Sequence, residues 1–210
     1  MFSAQSFSAI VLADGQFPTH EVPLSLLRSV KTIVCCDASA IKLKQFGLEP
    51  TAIVGDMDSL PADLQQQWAD IIYHKADQDY NDLSKAMNWC FARGLRRLAI
   101  LGATGLREDH TLGNIGHLVR FTRMGLRVKM FTDTGVFTPL IDPGQLESYE
   151  GQQVSLFSPN PRSRITTTGL QYALKDQTLP ELWSGTLNCS LGTTIGFDFE
   201  PGPLLVYQLY

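Results

Sequence analysis

Ile53-Val54-Gly55-Asp56-Met57-Asp58-Ser59 is a short apolar run that ends in a glycine and two carboxylates one residue apart. A brief Val/Ile run is how a strand buried on both faces of a parallel sheet reads, and the C-terminal ends of such strands are where open α/β sheets place their ligands. Asp56 and Asp58 therefore fall at a strand end where chemistry is expected. Carboxylates spaced i, i+2 can share one hard cation, and Mg²⁺ takes oxygen ligands while keeping waters and phosphate oxygens in its shell. The same residues, with Ser59 before Pro61, also suit a turn that caps the following helix.

Working outward, short β-rich runs at 8–12, 32–36, 52–54, 71–74, 97–101 and 127–131 alternate with helical patterns at 38–46, 61–68, 82–93 and 111–124. Gly47, Gly94 and Gly125 stand where three of these helices should stop. This alternation predicts an α/β fold with a mostly parallel sheet and flanking helices. Leu83, Ala86, Met87 and Cys90 form one apolar face, with Asp82 and Lys85 off it, and Ile115, Leu118, Val119 and Thr122 suggest another. Beyond about residue 132, turn clusters such as Asp142-Pro143-Gly144 and Ser158-Pro159-Asn160-Pro161 separate short Val/Thr/Phe/Tyr-rich runs. An antiparallel β-sandwich is expected there, closed by a strand at Leu204-Leu205-Val206-Tyr207. The boundaries so read are 1–132 and 133–210.

The 210 residues suffice for two such domains, and the net charge of −4 argues against a general nucleic-acid binder. No apolar run is long enough to span a bilayer and the first residues lack a basic export signal, so a cytoplasmic location is expected. Cys35, Cys36, Cys90 and Cys189 show no C-x-x-C spacing and read as reduced, mostly buried thiols. His20 and His74 lack a metal-ligand pattern.

Two further polar clusters follow strands and should converge with Asp56 and Asp58 on one sheet edge. Asp77-Gln78-Asp79-Tyr80-Asn81-Asp82 leads into Lys85; capping needs one acid, and several like charges brought together call for a cation. Gly102-Ala103-Thr104-Gly105-Leu106-Arg107-Glu108-Asp109-His110 offers glycines that open backbone N–H groups to an anion, an arginine fork and a helix N-terminus, although the glycines could equally serve a tight turn. It lacks the Gly-Lys-Ser/Thr ending of a P-loop. Asp37 also follows a strand, where an N-cap is the simpler reading.

With these residues in view, the chain resembles the thiamin pyrophosphokinase family. The resemblance rests on Cys35-Cys36-Asp37-Ala38-Ser39 (Cys-Ala-Asp-Gly-Gly in the family), Gly55 to Ser59 (Gly-Asp-Phe-Asp-Ser), and Asp77 to Lys85 (Asp-Gln-Asp-x-Thr-Asp-x-x-Lys, with Asn81 for Thr). It continues through Gly102 to His110, with Leu106 for a glycine, and Thr166 to Tyr172 (Ser-Thr-Thr-Gly-Leu-Lys-Trp). Ser190-Leu191-Gly192 stands where family members often carry Ser-Asn-Glu. The resemblance implies an ATP- and Mg²⁺-binding α/β catalytic domain, a thiamin-binding β-sandwich and a homodimer with thiamin at its interface. It further implies transfer of pyrophosphate from ATP to the thiamin hydroxyl, releasing AMP.

On that reading Asp56, Asp58, Asp79 and Asp82 hold Mg²⁺, and Asp37, Lys85, Gly102, Gly105, Arg107 and Asp109 bind ATP. Thr168, Tyr172 and Ser190 contact thiamin, Tyr172 matching the family tryptophan as an aromatic face for a cationic ring. The acidic cluster alone would equally suit a metal-dependent phosphohydrolase.

Overall fold

The computed structural model describes residues 7–75 and 81–210. Asp77 and Asp79 lie outside the described residues. The chain divides into two compact units, Met1–Asp133 and Thr134–Tyr210.

In the first unit β1 (Ala9–Leu12), β2 (Ile33–Cys36), β3 (Ala52–Gly55), β4 (Ile72–His74), β5 (Arg97–Leu101) and β6 (Arg127–Phe131) run in the order β6-β5-β1-β2-β3-β4. Every neighbouring pair in this series is parallel. Each residue of β1, β2 and β3 is buried, which is why these strands read as continuous apolar runs. The helices are α1 (Glu21–Ser29), α2 (Ser39–Gln45), α3 (Ala62–Gln67), α4 (Asp82–Ala92) and α5 (Glu108–Arg123). Gly47, Gly94 and Gly125 follow α2, α4 and α5 in left-handed conformations, as a glycine stop requires.

Three features depart from the sequence reading. Helix α1 was not expected; Pro23 sits in its first turn, where its missing N–H costs little, and the cap is the His20 imidazole, which accepts from the Val22 amide. Helix α5 starts at Glu108, three residues before the expected 111. Its buried face is Asn114, Leu118, Val119 and Phe121, whereas Ile115 and Thr122 are only half-buried. Apolar periodicity found Leu118 and Val119 but centred the face wrongly, because one of its members, Asn114, is a polar side chain that bonds a loop carbonyl.

The second unit contains a sheet series β11-β9-β13-β7 and a separate sheet β10-β12-β8. Their ranges are β7 (Gly135–Leu140), β8 (Gly144–Glu147), β9 (Gln153–Phe157), β10 (Arg164–Thr168), β11 (Gly185–Cys189), β12 (Thr194–Glu200) and β13 (Leu204–Leu209). Their pairings are antiparallel. Val154, Leu156, Leu204 and Val206 from one layer share a core with Ile165, Ile195, Phe197 and Phe199 from the other, so the unit is a β-sandwich.

Candidate active site

Strand β1 pairs with β2 on one side and β5 on the other, so the connections leave it in opposite directions. A crevice at such a reversal is the standard ligand position of a parallel sheet. The loops after β1 and β5 are laced by main-chain bonds: Ala13 N–H to Leu101 O at 2.9 Å, Gly15 N–H to Gly102 O at 2.7 Å and Gln16 N–H to Thr104 O at 2.8 Å. A Cβ on Gly15 would lie 2.4 Å from Gly102 O, and one on Gly102, at φ +63°, would lie 2.7 Å from Ala13 O. At Gly105, φ +93°, a Cβ would meet the Gln16 side chain at 2.6 Å. Gly102 and Gly105 thus serve first to let two loops touch. Gly102→Ala is expected to cost about 1–3 kcal/mol, from a strained φ and a backbone clash, read as a lower midpoint in denaturant titration.

Lys42, from α2, fixes the same loop by donating to Asp14 O (3.1 Å) and Gly15 O (2.8 Å) while pairing with the Asp14 carboxylate at 2.8 Å. Neither Asp14 nor Lys42 was singled out from sequence. The available signal was Ala13-Asp14-Gly15 directly after an apolar strand.

The resulting cleft has a volume of about 390 Å³, within the range of small-molecule sites. Its lining includes Asp56, Asp82, Lys85 and Arg107, together with the Cys36 thiol, which burial holds well above the ordinary thiol range. Asp37, Asp56 and Asp82 each offer a carboxylate oxygen, and these atoms lie within 4.8 Å of one another. They reach this spot from the ends of β2 and β3 and the start of α4. Asp37 holds φ +44° and Met57 φ +65°, both costly for residues with side chains. Gly55 makes room, since a Cβ there would stand 3.0 Å from Asp37 Cβ.

Asp37 is no helix cap: Ala38 occupies the cap position of α2 and no side chain caps it. Its carboxylate is buried, and Oδ1 has no hydrogen-bond partner among the described residues. Burial pushes its pKa up to about 6, against a bond from the Ser59 amide and with the charges of Asp82, Asp56 and Asp14 raising it further. Lys85, read from periodicity as lying off the packed face, is 6 % exposed and bonds Asp56 Oδ2 at 3.2 Å and Asp82 Oδ1 at 2.9 Å. Burial alone would lower the ammonium pKa, but the bonds to Asp82 and Asp56 reverse this and leave it raised. The bond from Lys85 in turn holds Asp56 below the usual carboxylate value.

Asp58 is exposed and outside this triad; its backbone N–H points at Asp56 Oδ1, 3.4 Å away. Arg107 and Asp109 form an exposed ion pair at 2.6 Å. That bond holds Asp109 down to about 2. The Arg107 fork is thus held by a carboxylate at the cleft mouth.

In the second unit Thr168 ends β10, and Gly196 makes room for its hydroxyl, which lies 2.4 Å from where a Cβ would stand. The Tyr172 side chain is exposed, while its main chain is gripped by Asn188, which accepts from Tyr172 N at 3.0 Å and donates to Tyr172 O at 2.8 Å. Ser190 is buried, bridges Leu170, and donates its hydroxyl to Gly192 O at 2.9 Å. All three therefore cluster at one corner, with Asn188, missed from sequence, as its buried brace.

Residues 24–130 match the model for the catalytic domain of thiamin pyrophosphokinase, and residues 135–207 match that for its substrate-binding domain. The chain belongs to the thiamin pyrophosphokinase family. Among its relatives, the Bacillus subtilis thiamine pyrophosphokinase is 26 % identical over 148 residues, covering 67 % of this chain and 69 % of that protein. Thiamin pyrophosphokinase 1 of Caenorhabditis elegans is 34 % identical over 87 residues, covering 39 % of this chain and 35 % of that protein. The match thus spans about a third of the nematode relative. In fold, the crystal structure of the Bacillus subtilis enzyme superposes with a TM-score of 0.78 at 20 % identity, over 96 % of this chain and 98 % of that one. Thiamin pyrophosphokinase from Candida albicans superposes at 0.81 with 17 % identity, over 98 % and 90 %.

Proposed function

We propose that this protein is a Mg²⁺-dependent thiamin pyrophosphokinase, transferring the terminal pyrophosphoryl group of ATP to the hydroxyl of thiamin to give thiamin diphosphate and AMP. The observation that carries this reading is the carboxylate triad at the cleft, two of whose members line it, with one buried oxygen of Asp37 left without a partner among the described residues beside Asp56 and Asp82. Three acids facing one ammonium leave an excess of negative charge, and all donors are hard oxygens, so the residues fit Mg²⁺. Asp37, Asp56 and Asp82 would hold it, and Asp58 and Asp79 complete the acidic set implied by the family motifs. When bound, the cation neutralises phosphate oxygens and favours attack on phosphorus.

The chain's own groups supply position and counter-charge. Lys85 presents its ammonium at the cleft floor, where a phosphate oxygen can take over a bond from a carboxylate. Arg107 exchanges Asp109 for phosphate, a swap between two anions of similar geometry. The laced loops with Gly102 and Gly105 form a wall that needs no rearrangement on binding, which keeps the reacting atoms in line. Thiamin is assigned to Thr168, Tyr172 and Ser190, Tyr172 offering the aromatic face and the other two holding the turn beneath it. We assign the active form as a homodimer with thiamin at its interface, located in the cytoplasm. Among the described residues no helix is long and apolar enough to cross a membrane.

Incubating the purified protein with ATP, Mg²⁺ and thiamin and identifying products by mass tests the reading. AMP and thiamin diphosphate in equal amounts are expected; ADP or free phosphate without a thiamin product would mark a hydrolase or a kinase for another alcohol. Asp58→Asn is expected to abolish turnover with the circular dichroism spectrum unchanged, and near-normal turnover would remove Asp58 from the acidic set.

A further inference from the structure

Two carboxamides connect the loop after β5 to the first turn of α4. Asn114 is buried and donates Nδ2–H to Ala103 O at 2.8 Å. Its Oδ1 accepts from Asn81 Nδ2 at 3.0 Å, and Asn81 Oδ1 accepts from the Ser84 amide at 2.9 Å, capping α4. The orientation of each group is forced. Ala103 O can only accept, so Asn114 must turn its NH2 there and its oxygen toward Asn81. Asn81 must then face Asn114 with its NH2, which leaves its oxygen for the helix amide. A single loop carbonyl thus sets the polarity of the whole chain of bonds.

What this chain of bonds positions is specific. Asp82 follows Asn81 directly, and the Lys85 amide donates to Asn81 O at 3.0 Å, so the residue that ends the relay anchors the turn carrying both groups. Ala103, Asn81 and Asn114 all line the cleft. We infer that Asn81 and Asn114 are positioning residues that lock the Asp82 carboxylate and the Lys85 ammonium in register with the loop wall, so that metal affinity depends on two neutral amides that touch no metal. The inference rests on the reading of Asp37, Asp56 and Asp82 as a divalent-cation site.

The test is Mn²⁺ binding to the purified protein, followed by electron paramagnetic resonance without nucleotide or thiamin. Asn81→Ser keeps a cap oxygen and removes the bridging amide. It is expected to raise the Mn²⁺ dissociation constant about tenfold, the scale of one lost hydrogen bond, with the thermal midpoint within about 2 °C of wild type. Asn114→Leu is expected to do the same, and the double variant no more, because cutting a relay twice costs what cutting it once does. Additive losses would overturn the relay, as would unchanged Mn²⁺ affinity in Asn81→Ser, which decides the matter should Asn114→Leu not fold. Wild-type protein that forms thiamin diphosphate yet binds Mn²⁺ equally in every variant would sink this inference alone. Wild-type protein that binds no Mn²⁺ would overturn the metal reading and the inference with it.

Discussion

Replacing Asp37 with asparagine is expected to make the metal-free protein more stable and the enzyme far less active. The Asp37 carboxyl is buried, with one oxygen unpartnered among the described residues, and its pKa is pushed up to about 6 by desolvation first and neighbouring acids second. Because the folded value lies above the unfolded one, the fold favours the neutral acid. The cost of ionising it is absent below the unfolded value of 3.8 and fully present above about 6. That cost is roughly 3 kcal/mol at pH 8, and a neutral amide of the same shape removes it. In a chain of this size the thermal midpoint in EDTA should rise by roughly 5–10 °C. Wild-type protein in EDTA should likewise gain stability as the pH falls from 7 to 5, and Asp37→Asn should not. Turnover should fall by about 100-fold or more, since the variant loses a charged donor where phosphate charge must be balanced. Scanning calorimetry across pH, paired with product assays, reads both; a variant with a lower midpoint at pH 8 would show that Asp37 is not held against its own ionisation.

Lys85→Met should do the reverse to stability and the same to activity. The ammonium is buried and bonds both Asp56 and Asp82, so its removal leaves like charges facing one another with Asp37 close by. Breaking a buried ion pair from one side costs about 3–5 kcal/mol. The lower end applies because both carboxylates keep some contact with solvent. The raised pKa of Lys85 means that this stabilisation persists through the neutral range and fades only above its ordinary value of 10.5. Millimolar Mg²⁺ should restore part of the lost midpoint by binding the folded form, while turnover stays down by about 100-fold or more for want of a phosphate donor. Denaturant titrations with and without Mg²⁺ measure this; identical losses in both would separate Lys85 from the cation site.

Strands β1, β2 and β3 were legible because burial on both faces leaves them as uninterrupted apolar runs, and the glycine stops marked three helix ends. Asp56, Asp82 and Lys85 could be grouped because a parallel sheet sends its strand ends to one edge. The cap reading of Asp37, the simpler one before the family resemblance is considered, fails for a definite reason: its backbone is left-handed, a conformation that no residue-type preference for aspartate before a helix reveals. The apolar pattern alone does not mark Asn114 as a core position, because its burial is matched by hydrogen bonds rather than apolar contact. Spacing also left open the burial of the two acids after β3, since i, i+2 puts both in one loop but does not decide that Asp56 is half-buried and Asp58 exposed. In the second unit the turns announced short strands, but their order depends on pairing between distant segments, which local pattern does not encode.

That order has a consequence for how the protein is made. Leu204–Leu209, the last strand along the sequence, pairs with β7 on one side and β9 on the other. The sides of β7 and β9 that face β13 therefore stay without a ladder until β13 leaves the ribosome, at roughly 5–20 residues per second, although β9 can already pair with β11. Through that interval the nascent sandwich holds unpaired edges, and a premature stop or frameshift that deletes β13 removes the middle of a sheet rather than its margin.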